Sequence, residues 1–407
     1  MRLAYVSADL GVPAFGQKGC SRHVQEILRG FLNTGTTIDL YAARIGGCPP
    51  ADLTLVRACE WITATTQAIE DREQRGITAN ADLLEHLLSQ PIYDAIYERY
   101  SLWGFAAMEY GRMMGIPSVL EVNAPLIDEQ RRHRGLNRIA CAEAIAARTF
   151  AAASAIVAVS DGVADYLKAQ GVAESKVHVV PNGVDPDQFL PIANPTQADS
   201  LEHHPFTIGF VGTLKPWHGV AELLQAFLEF HNRHPKSRLL IVGDGPERAG
   251  LQEELQRWNI DAVAAVTWVG AVAPSEIPSF IAQMDIAVAP YPQLEQFYFS
   301  PLKVFEYMAA ARAVVASDIG QLRDIVRHEQ NGLLVAAGCT KALTAAFQRL
   351  YEAPDLASRL GQAARETILA NHSWESVVQR VLAIMQHNPS PPQRSRKSTR
   401  ARNAFCK

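Results

Sequence analysis

A chain of 407 residues exceeds one ordinary hydrophobic core, so two domains of roughly 150–200 residues are expected. Its 48% hydrophobic and 20% charged residues are those of a globular protein, and a net charge of −4 excludes a general nucleic-acid binder. That balance leaves room for a local basic pocket holding a small anion.

Six cysteines (Cys20, Cys48, Cys59, Cys141, Cys339, Cys406) are scattered without a CxxC pair. They read as reduced thiols of a cytoplasmic protein rather than a disulfide framework, and no metal site is expected. The chain opens on a strand-like run with no signal-peptide pattern. The Ala-rich stretch Cys141–Ser160 is interrupted by Glu143 and Arg148, so no membrane span is expected, and a peripheral membrane contact stays open.

Taken in order, RLAYVS reads as a buried strand, followed by a loop holding Gly11, Gly16 and Gly19. A helix near Ser21 then turns Val24, Ile27, Leu28 and Phe31 to the core. Strand, glycine loop and helix open a nucleotide-type α/β unit, because glycines let backbone N–H groups approach a ligand. The spacing matches neither a dinucleotide fingerprint nor a P-loop. IDLYAAR, YDAIYERY and PSVLEVNAP read as further strands between helices, which implies a parallel sheet. Ligands of such sheets sit beyond the strands' carboxyl ends. Glu98, Arg99, Tyr100, Glu121 and Asn123 fall there, as candidate ligand contacts or ordinary loop residues.

PNG at Pro181–Gly183 marks a turn, and the polar run Ala193–Pro205 reads as a linker. A second α/β set follows, with strands in FTIGFVG, RLLIVG, VTWVG, IAVAP, AVVASD and GLLV. The fold class expected is therefore α/β, as two Rossmann-like domains with a cleft between them. In GDGPER, Arg248 stands where a dinucleotide motif would place its third glycine, so no NAD site is expected.

Within this half, SPLKVFEYMA reads as a helix start with a chemical purpose. Ser300 has the side chain of an N-cap and Pro301 suits the first helical position. Lys303 and Glu306 lie three apart and share a face away from the core. A lysine beside the positive end of a helix dipole is locally unfavourable, so Lys303 is either a solvated residue or part of an anion site. Trp374–Met385 reads as a last amphipathic helix. The end of the chain, with six Lys or Arg, no acid and much Pro and Ser, reads as a disordered tail.

GVPAFGQKGCSRHVQEI, VVPNGVDPDQF, FVGTLKPWHG, IVGDGPER, VTWVG, FYFSPLKVFEYMA and NGLLV form one ordered set that resembles the glycosyltransferase family 4, or group 1, enzymes from Met1 to about Met385. The resemblance implies the GT-B architecture, two facing Rossmann-like domains with a central cleft. Residues 1–187 would form the acceptor-side domain and 188–372 the nucleotide-sugar domain. Residues 373–386 would return as a helix toward the first domain, with 387–407 as the tail. It implies a retaining transferase that needs no metal or cofactor, with a nucleotide diphosphate sugar as co-substrate and an acceptor that is a saccharide, lipid-linked or small molecule.

Carried residue by residue, the resemblance gives Lys303 the nucleotide diphosphate and Glu306 the ribose. Ser300, Pro301 and Leu302 become the helix start that meets the phosphates, and Gly16 and Gly19 the first-domain glycine loop. The first glutamate of the family's pair is replaced by Tyr298, with Glu295 the nearest acid. The family's Arg and Lys after the second domain's first strand are Thr213 and His218 here. Lys215 between them is either the substitute cation or a surface lysine in a Pro-Trp turn. His218 is either a phosphate donor or a helix-start histidine. A nucleotide-sugar epimerase and a non-catalytic nucleotide-sugar binder are the competing readings.

Overall fold

The computed structural model describes residues 1–61, 69–133, 135–191, 205–258 and 261–387. The linker expected over Ala193–Pro205 (Pro205 excepted) and the basic tail beyond His387 lie outside these residues. The chain divides into two units, Met1–Pro181 together with the segment from Trp374, and Asn182–Ser373.

The first unit runs β1 (Arg2–Ser7), α1 (Gly19–Asn33), β2 (Thr37–Ala42), β3 (Arg57–Glu60), α2 (Ile69–Leu88), β4 (Ala95–Arg99) and α3 (Ala106–Met114). It continues with β5 (Ser118–Val122), α4 (Leu126–His133), α5 (Ile139–Ala152), β6 (Ala155–Ala158), α6 (Asp161–Ala169) and β7 (Val177–Val179). All seven strands are parallel, in the order β3-β2-β1-β4-β5-β6-β7. The apolar face of α1 buries Val24, Ile27, Leu28 and Phe31, as its spacing requires. Its back packs on the chain's last helix, where Gly30 leaves the space that Val378 fills.

The second unit runs β8 (Thr207–Val211), α7 (Val220–His231), β9 (Arg238–Val242), α8 (Arg248–Trp258), β10 (Val266–Gly270), α9 (Ile277–Ile281) and β11 (Ile286–Ala289). Then come α10 (Leu302–Ala309), β12 (Ala313–Ser317), α11 (Leu322–Ile325), β13 (Leu333–Val335), α12 (Thr340–Glu352) and α13 (Pro354–Asn371), after which α14 (Trp374–His387) rejoins the first unit. The six strands are again parallel, ordered β10-β9-β8-β11-β12-β13. Strand side chains alternate between faces. Ile208, Phe210, Ile286, Val288 and Val315 therefore enter one core with α7 and α12, while Ala287, Ala289, Val314 and Ala316 enter the other with α10 and α13.

Each sheet reverses its strand order at one place, β1/β4 in the first unit and β8/β11 in the second. Such a switch point opens a crevice at the carboxyl ends of the strands, where ligands of doubly wound sheets bind. Among the described residues no helix is long and apolar enough to cross a membrane. Among the described residues Cys20, Cys48, Cys59 and Cys339 are free thiols.

Candidate active site

In the second unit, β8 ends at Val211 and the chain continues through Gly212 and Thr213 into the turn Pro216–His218. Gly212 has φ +149°, and a Cβ there would stand 2.6 Å from Lys303 Nζ. Only glycine leaves room for the lysine to cross the end of β8. Gly219, in the left-handed region at φ +68°, has no space for a Cβ either, because its backbone packs directly on Pro290 O after β11. The Pro-Trp turn is thus docked across the switch point.

Lys303 belongs to the first turn of α10, where it reaches from the helix over the faces of Phe210 (4.0 Å) and Tyr291 (5.6 Å). Its Nζ is buried and has no hydrogen-bond partner. Burial pushes its pKa down from 10.5 to about 7, with the Glu306 carboxylate opposing. The expectation of a merely solvated lysine therefore fails. The ring faces give the ammonium only partial compensation for lost water, since a cation over an aromatic face gains roughly 0.5–2 kcal/mol. A ligand phosphate would supply the missing charge-assisted bond.

His218 closes the other side. Its Nδ1 is hydrogen-bonded to the Thr213 carbonyl, and its ring stands 5.8 Å from Tyr291, edge to face. A carbonyl only accepts, so Nδ1 carries the proton and Nε2 presents a lone pair. Burial first, then the Lys303 charge, pushes the imidazole down to about 3. A neutral His218 in this tautomer accepts a hydroxyl proton. It cannot donate to a phosphate unless binding protonates it. Lys215 lies with its Nζ 4.7 Å from the Trp217 ring centre and adds to the positive field on His218.

The helix start itself differs from its expected form. The N-cap is Pro301 with no side-chain cap, and α10 begins at Leu302. The Ser300 hydroxyl instead accepts the Asn182 backbone N–H (3.1 Å), while Asn182 Nδ2 donates to the Ser300 carbonyl (3.1 Å). The first-turn N–H groups of Leu302 and Lys303 have no carbonyl partner within the helix, as in any helix start. Tyr307, absent from the candidate residues, anchors α10 to the sheet: the Val211 N–H donates to its hydroxyl at 2.7 Å. Tyr298, in place of a glutamate, is half-buried and stacks near Phe299 at 4.5 Å. Arg248 in GDGPER pairs with Asp244 at 2.9 Å, so its place in that loop is accounted for structurally.

The structure brings Lys303, Thr213, His218 and Lys215 together at the β8/β11 switch, with Leu302 and Glu306 on the same helix and Ser300 and Pro301 leading into it. Phe210, Gly212 and Tyr291 complete the cluster. Nothing in the linear sequence marks them, because each is an ordinary residue at a strand end until the fold places it beside Lys303.

Gly16 and Gly19 belong to the first unit. Gly19 is the first residue of α1 rather than part of the loop, and the Gly16 carbonyl accepts a bond from Gln25 Nε2 at 2.9 Å. At the carboxyl edge of this sheet the polar residues divide into two groups. Glu121 is tied into a buried cluster, 3.1 Å from His23 Nε2 and 3.8 Å from Arg99 Nη1, with the His23 ring 5.3 Å from Trp374. Burial pushes Glu121 up, but His23 and Arg99 outweigh it and leave it at about 2. Glu98, whose side chain leaves β4 on the opposite face from that of its neighbour Arg99, has both carboxyl oxygens buried without partners, and burial raises it to about 8. Side by side on one sheet edge, one glutamate is a fixed anion and the other a neutral acid.

Two parallel Rossmann-like sheets, each with one switch point, the second with the buried Lys303 Nζ beside it, define a doubly wound α/β protein of two such domains. Comparison with known proteins gives the family. Residues 18–188 match "Glycosyltransferase Family 4" and residues 205–353 match "Glycosyl transferases group 1". The chain belongs to these group 1, family 4 glycosyltransferases.

Over 253 residues it is 30% identical to alpha-maltose-1-phosphate synthase of Mycolicibacterium smegmatis, covering 57% of this chain and 63% of that protein. The chain spans 47–66% of the length of the curated relatives it matches. Its fold superposes on sucrose-phosphate synthase from Thermosynechococcus elongatus with a TM-score of 0.72 at 19% identity, covering 95% of this chain and 98% of that one. Anabaena HepE in complex with UDP-glucose superposes with a TM-score of 0.67 at 18% identity, over 95% of this chain and 100% of that one.

Proposed function

We propose that this protein is a retaining glycosyltransferase that moves a hexose from a nucleotide diphosphate sugar to an acceptor hydroxyl, without a metal in the reaction. The observation that carries the reading is the buried, unpartnered Lys303 Nζ in the first turn of α10, beside the β8/β11 switch point. A diphosphate arriving there meets one preorganised cation, the free N–H groups of a helix start and the field of Lys215.

In the reaction the bond between the anomeric carbon and the diphosphate oxygen breaks, and negative charge grows on the departing phosphate. Lys303, Lys215 and the helix dipole stabilise that charge. The acceptor oxygen forms its bond on the face the phosphate leaves, and the leaving phosphate oxygen takes the acceptor's proton. Glu306 holds the ribose, and His218 Nε2 accepts a bond from a donor hydroxyl. The structural relative HepE is a UDP-glucose complex, so uridine sugars are the first donors to test. The free thiols and the supply of nucleotide sugars favour a cytoplasmic setting, with peripheral membrane contact set by the acceptor.

The test is a panel of UDP-, GDP- and ADP-sugars, read for released nucleotide and for the anomeric configuration of the product. Release with an α-product from an α-donor supports transfer with retention. Nucleotide-sugar binding with no release would make the protein a binder. A changed sugar still joined to its nucleotide would make it an epimerase.

A further inference from the structure

Asn182 of the PNG turn is the first residue of the second unit and is only 7% exposed. From it the chain runs along α10 and is tied to that helix at both ends. At the start, Asn182 makes two bonds to a single residue: its backbone N–H donates to Ser300 Oγ and its Nδ2 to the Ser300 carbonyl, each at 3.1 Å. At the far end, Arg365 Nη1 donates to the Phe189 carbonyl (2.9 Å) and to the carbonyl of Ala309, the last residue of α10. Between these ties Val184 and Phe189 enter the same core as Val304, Phe305 and Met308. The Val184 N–H donates to the carbonyl of His372 at 2.9 Å, and the His372 ring stands 5.2 Å from Phe305.

The tie at Ser300 has a chemical consequence at the helix start. A serine just before a helix ordinarily turns its hydroxyl onto a first-turn N–H. Ser160 does so in α6, accepting the Val163 N–H at 3.2 Å. In α10 the N-cap position falls to Pro301, which has no side-chain oxygen, and the Ser300 oxygen is engaged by Asn182 instead. The Val304 N–H is taken by the Pro301 carbonyl at 3.0 Å, and among the described residues nothing accepts the N–H groups of Leu302 and Lys303. A second, independent sign of a ligand stands beside them, the buried Lys303 Nζ without a hydrogen-bond partner. One end of α10 therefore keeps two backbone donors and a lysine nitrogen unsatisfied, while the helix itself is anchored by the Val211 N–H on the Tyr307 hydroxyl.

We propose that Asn182 is a positioning residue for the donor diphosphate: by holding Ser300 at both its hydroxyl and its carbonyl, it keeps the start of α10 in place and uncapped, so that the Leu302 and Lys303 N–H groups stay open to phosphate oxygens. The inference rests on the transferase reading for the diphosphate, and adds to it a residue that lies outside the helix and 118 positions away in sequence. Asn182 acts through Ser300 and not on the ligand. Two bonds to one residue fix both the place and the rotation of the peptide before Pro301, and the proline ring, with its φ held near −65°, passes that constraint into the first turn. Released from Asn182, a serine hydroxyl bonds the N–H groups two and three residues on, which here are those of Leu302 and Lys303. It would then compete with the phosphate for the donors whose prior alignment gives the site its strength.

The test uses the full chain and measures affinity for inorganic pyrophosphate and for UDP, GDP and ADP, each nucleotide beside its own nucleoside, together with Tm. Expected for the wild-type protein is binding of pyrophosphate and of at least one nucleoside diphosphate. Asn182→Ala removes the bond to the Ser300 carbonyl and should weaken both about tenfold, while affinity for the matching nucleoside stays within about twofold. Ser300→Ala takes away the acceptor of the Asn182 N–H and should do the same, and Ser300→Thr, which restores the oxygen, should return the affinity to near that of the wild-type protein. The two Ser300 variants decide the question if Asn182→Ala does not fold. A lowered Tm with unchanged diphosphate affinity makes the tie purely structural, overturns the proposal and leaves the transferase reading standing. Equal losses for nucleotide and nucleoside overturn it as well, since they report a general loosening of the unit. A wild-type protein that binds no diphosphate of the panel removes the diphosphate reading of this helix start, and the inference with it.

Discussion

The two units share one strand order and one switch point, and each holds at that place a buried ionisable side chain without a hydrogen-bond partner. In the second unit it is Lys303, pushed down to about 7; in the first it is Glu98, pushed up to about 8. Desolvation disfavours the charged form of both groups, so near neutrality the acid is mostly uncharged and the base is divided between its two forms. What differs is the surroundings. Lys303 lies over aromatic faces at a helix start, a setting that rewards an arriving anion, whereas Glu98 lies beside Ser101 and Gly104 with no cation contributing to its titration. On the transferase reading the Lys303 edge takes the diphosphate, while the Glu98 edge keeps a neutral acid.

The largest expected effect breaks the cationic half of this pairing. Lys303→Met should lower the single-turnover transfer rate by a hundredfold or more, since losing one preorganised contact to developing negative charge costs about 3–4 kcal/mol. The same variant should melt at a higher temperature than the wild-type protein at pH 7, because it removes a buried unpaired charge. Lost rate with gained stability is the signature of a ligand site. A Lys303→Met protein with wild-type turnover would take this helix start out of the mechanism.

A second measurement sharpens the comparison without mutation. Lys303 titrates near 7 when free, and a bound diphosphate raises it by pairing, so donor binding above pH 7 takes up a proton. Donor affinity should fall up to tenfold per pH unit from about 7 upward. The groups facing the lysine do not obscure this: burial holds His218 at about 3 and pushes Tyr291 well above its ordinary value, and Glu306 contributes a carboxylate charge. Calorimetry of UDP binding in buffers of different ionisation heat at pH 8 should show proton uptake, and Lys303→Arg should abolish it. Affinity independent of pH between 7 and 9 would mean the lysine is already charged before the ligand arrives.

These contrasts also mark how far the linear sequence could be read. All six strands of the second sheet were legible, because strands buried on both faces read as apolar runs bounded by glycine or proline. In the first sheet Arg57–Glu60 was not legible: three of its four residues are exposed at the sheet edge, and RACE carries no apolar signal. Lys303 could be picked out because a lysine at a helix start conflicts with the dipole. Its burial could not, since Phe210 and Tyr291 come from two other strand ends. Ser300 misled for the same reason: its capping chemistry was legible, but the Asn182 backbone N–H that donates to its hydroxyl lies 118 residues away. Glu98 was visible only as one of several polar residues in YERY, and what separates it from Glu121 is that its side chain lies on the opposite face of the strand from that of Arg99, which pairs with Glu121.

The smallest expected effect concerns that glutamate, and its sign differs from the lysine's. Glu98 has a folded-state pKa raised from 4.5 to about 8, so between those values the folded protein binds a proton that the unfolded chain does not. Its contribution to stability is therefore fully present below about pH 4.5 and is lost as the pH rises toward 8. Lys303, lowered from 10.5 to about 7, makes stability rise with pH across that window. Glu98→Gln keeps the shape and a hydrogen-bond donor while removing the titration. Its melting temperature should match that of the wild-type protein near pH 5 and exceed it by a few degrees at pH 8, so the two curves diverge upward. Parallel curves from pH 5 to 8 would show that Glu98 is ionised and paired in the folded protein. The first switch point would then hold a fixed anion opposite in sign to Lys303, and the contrast between a neutral acid and a titrating base would be lost.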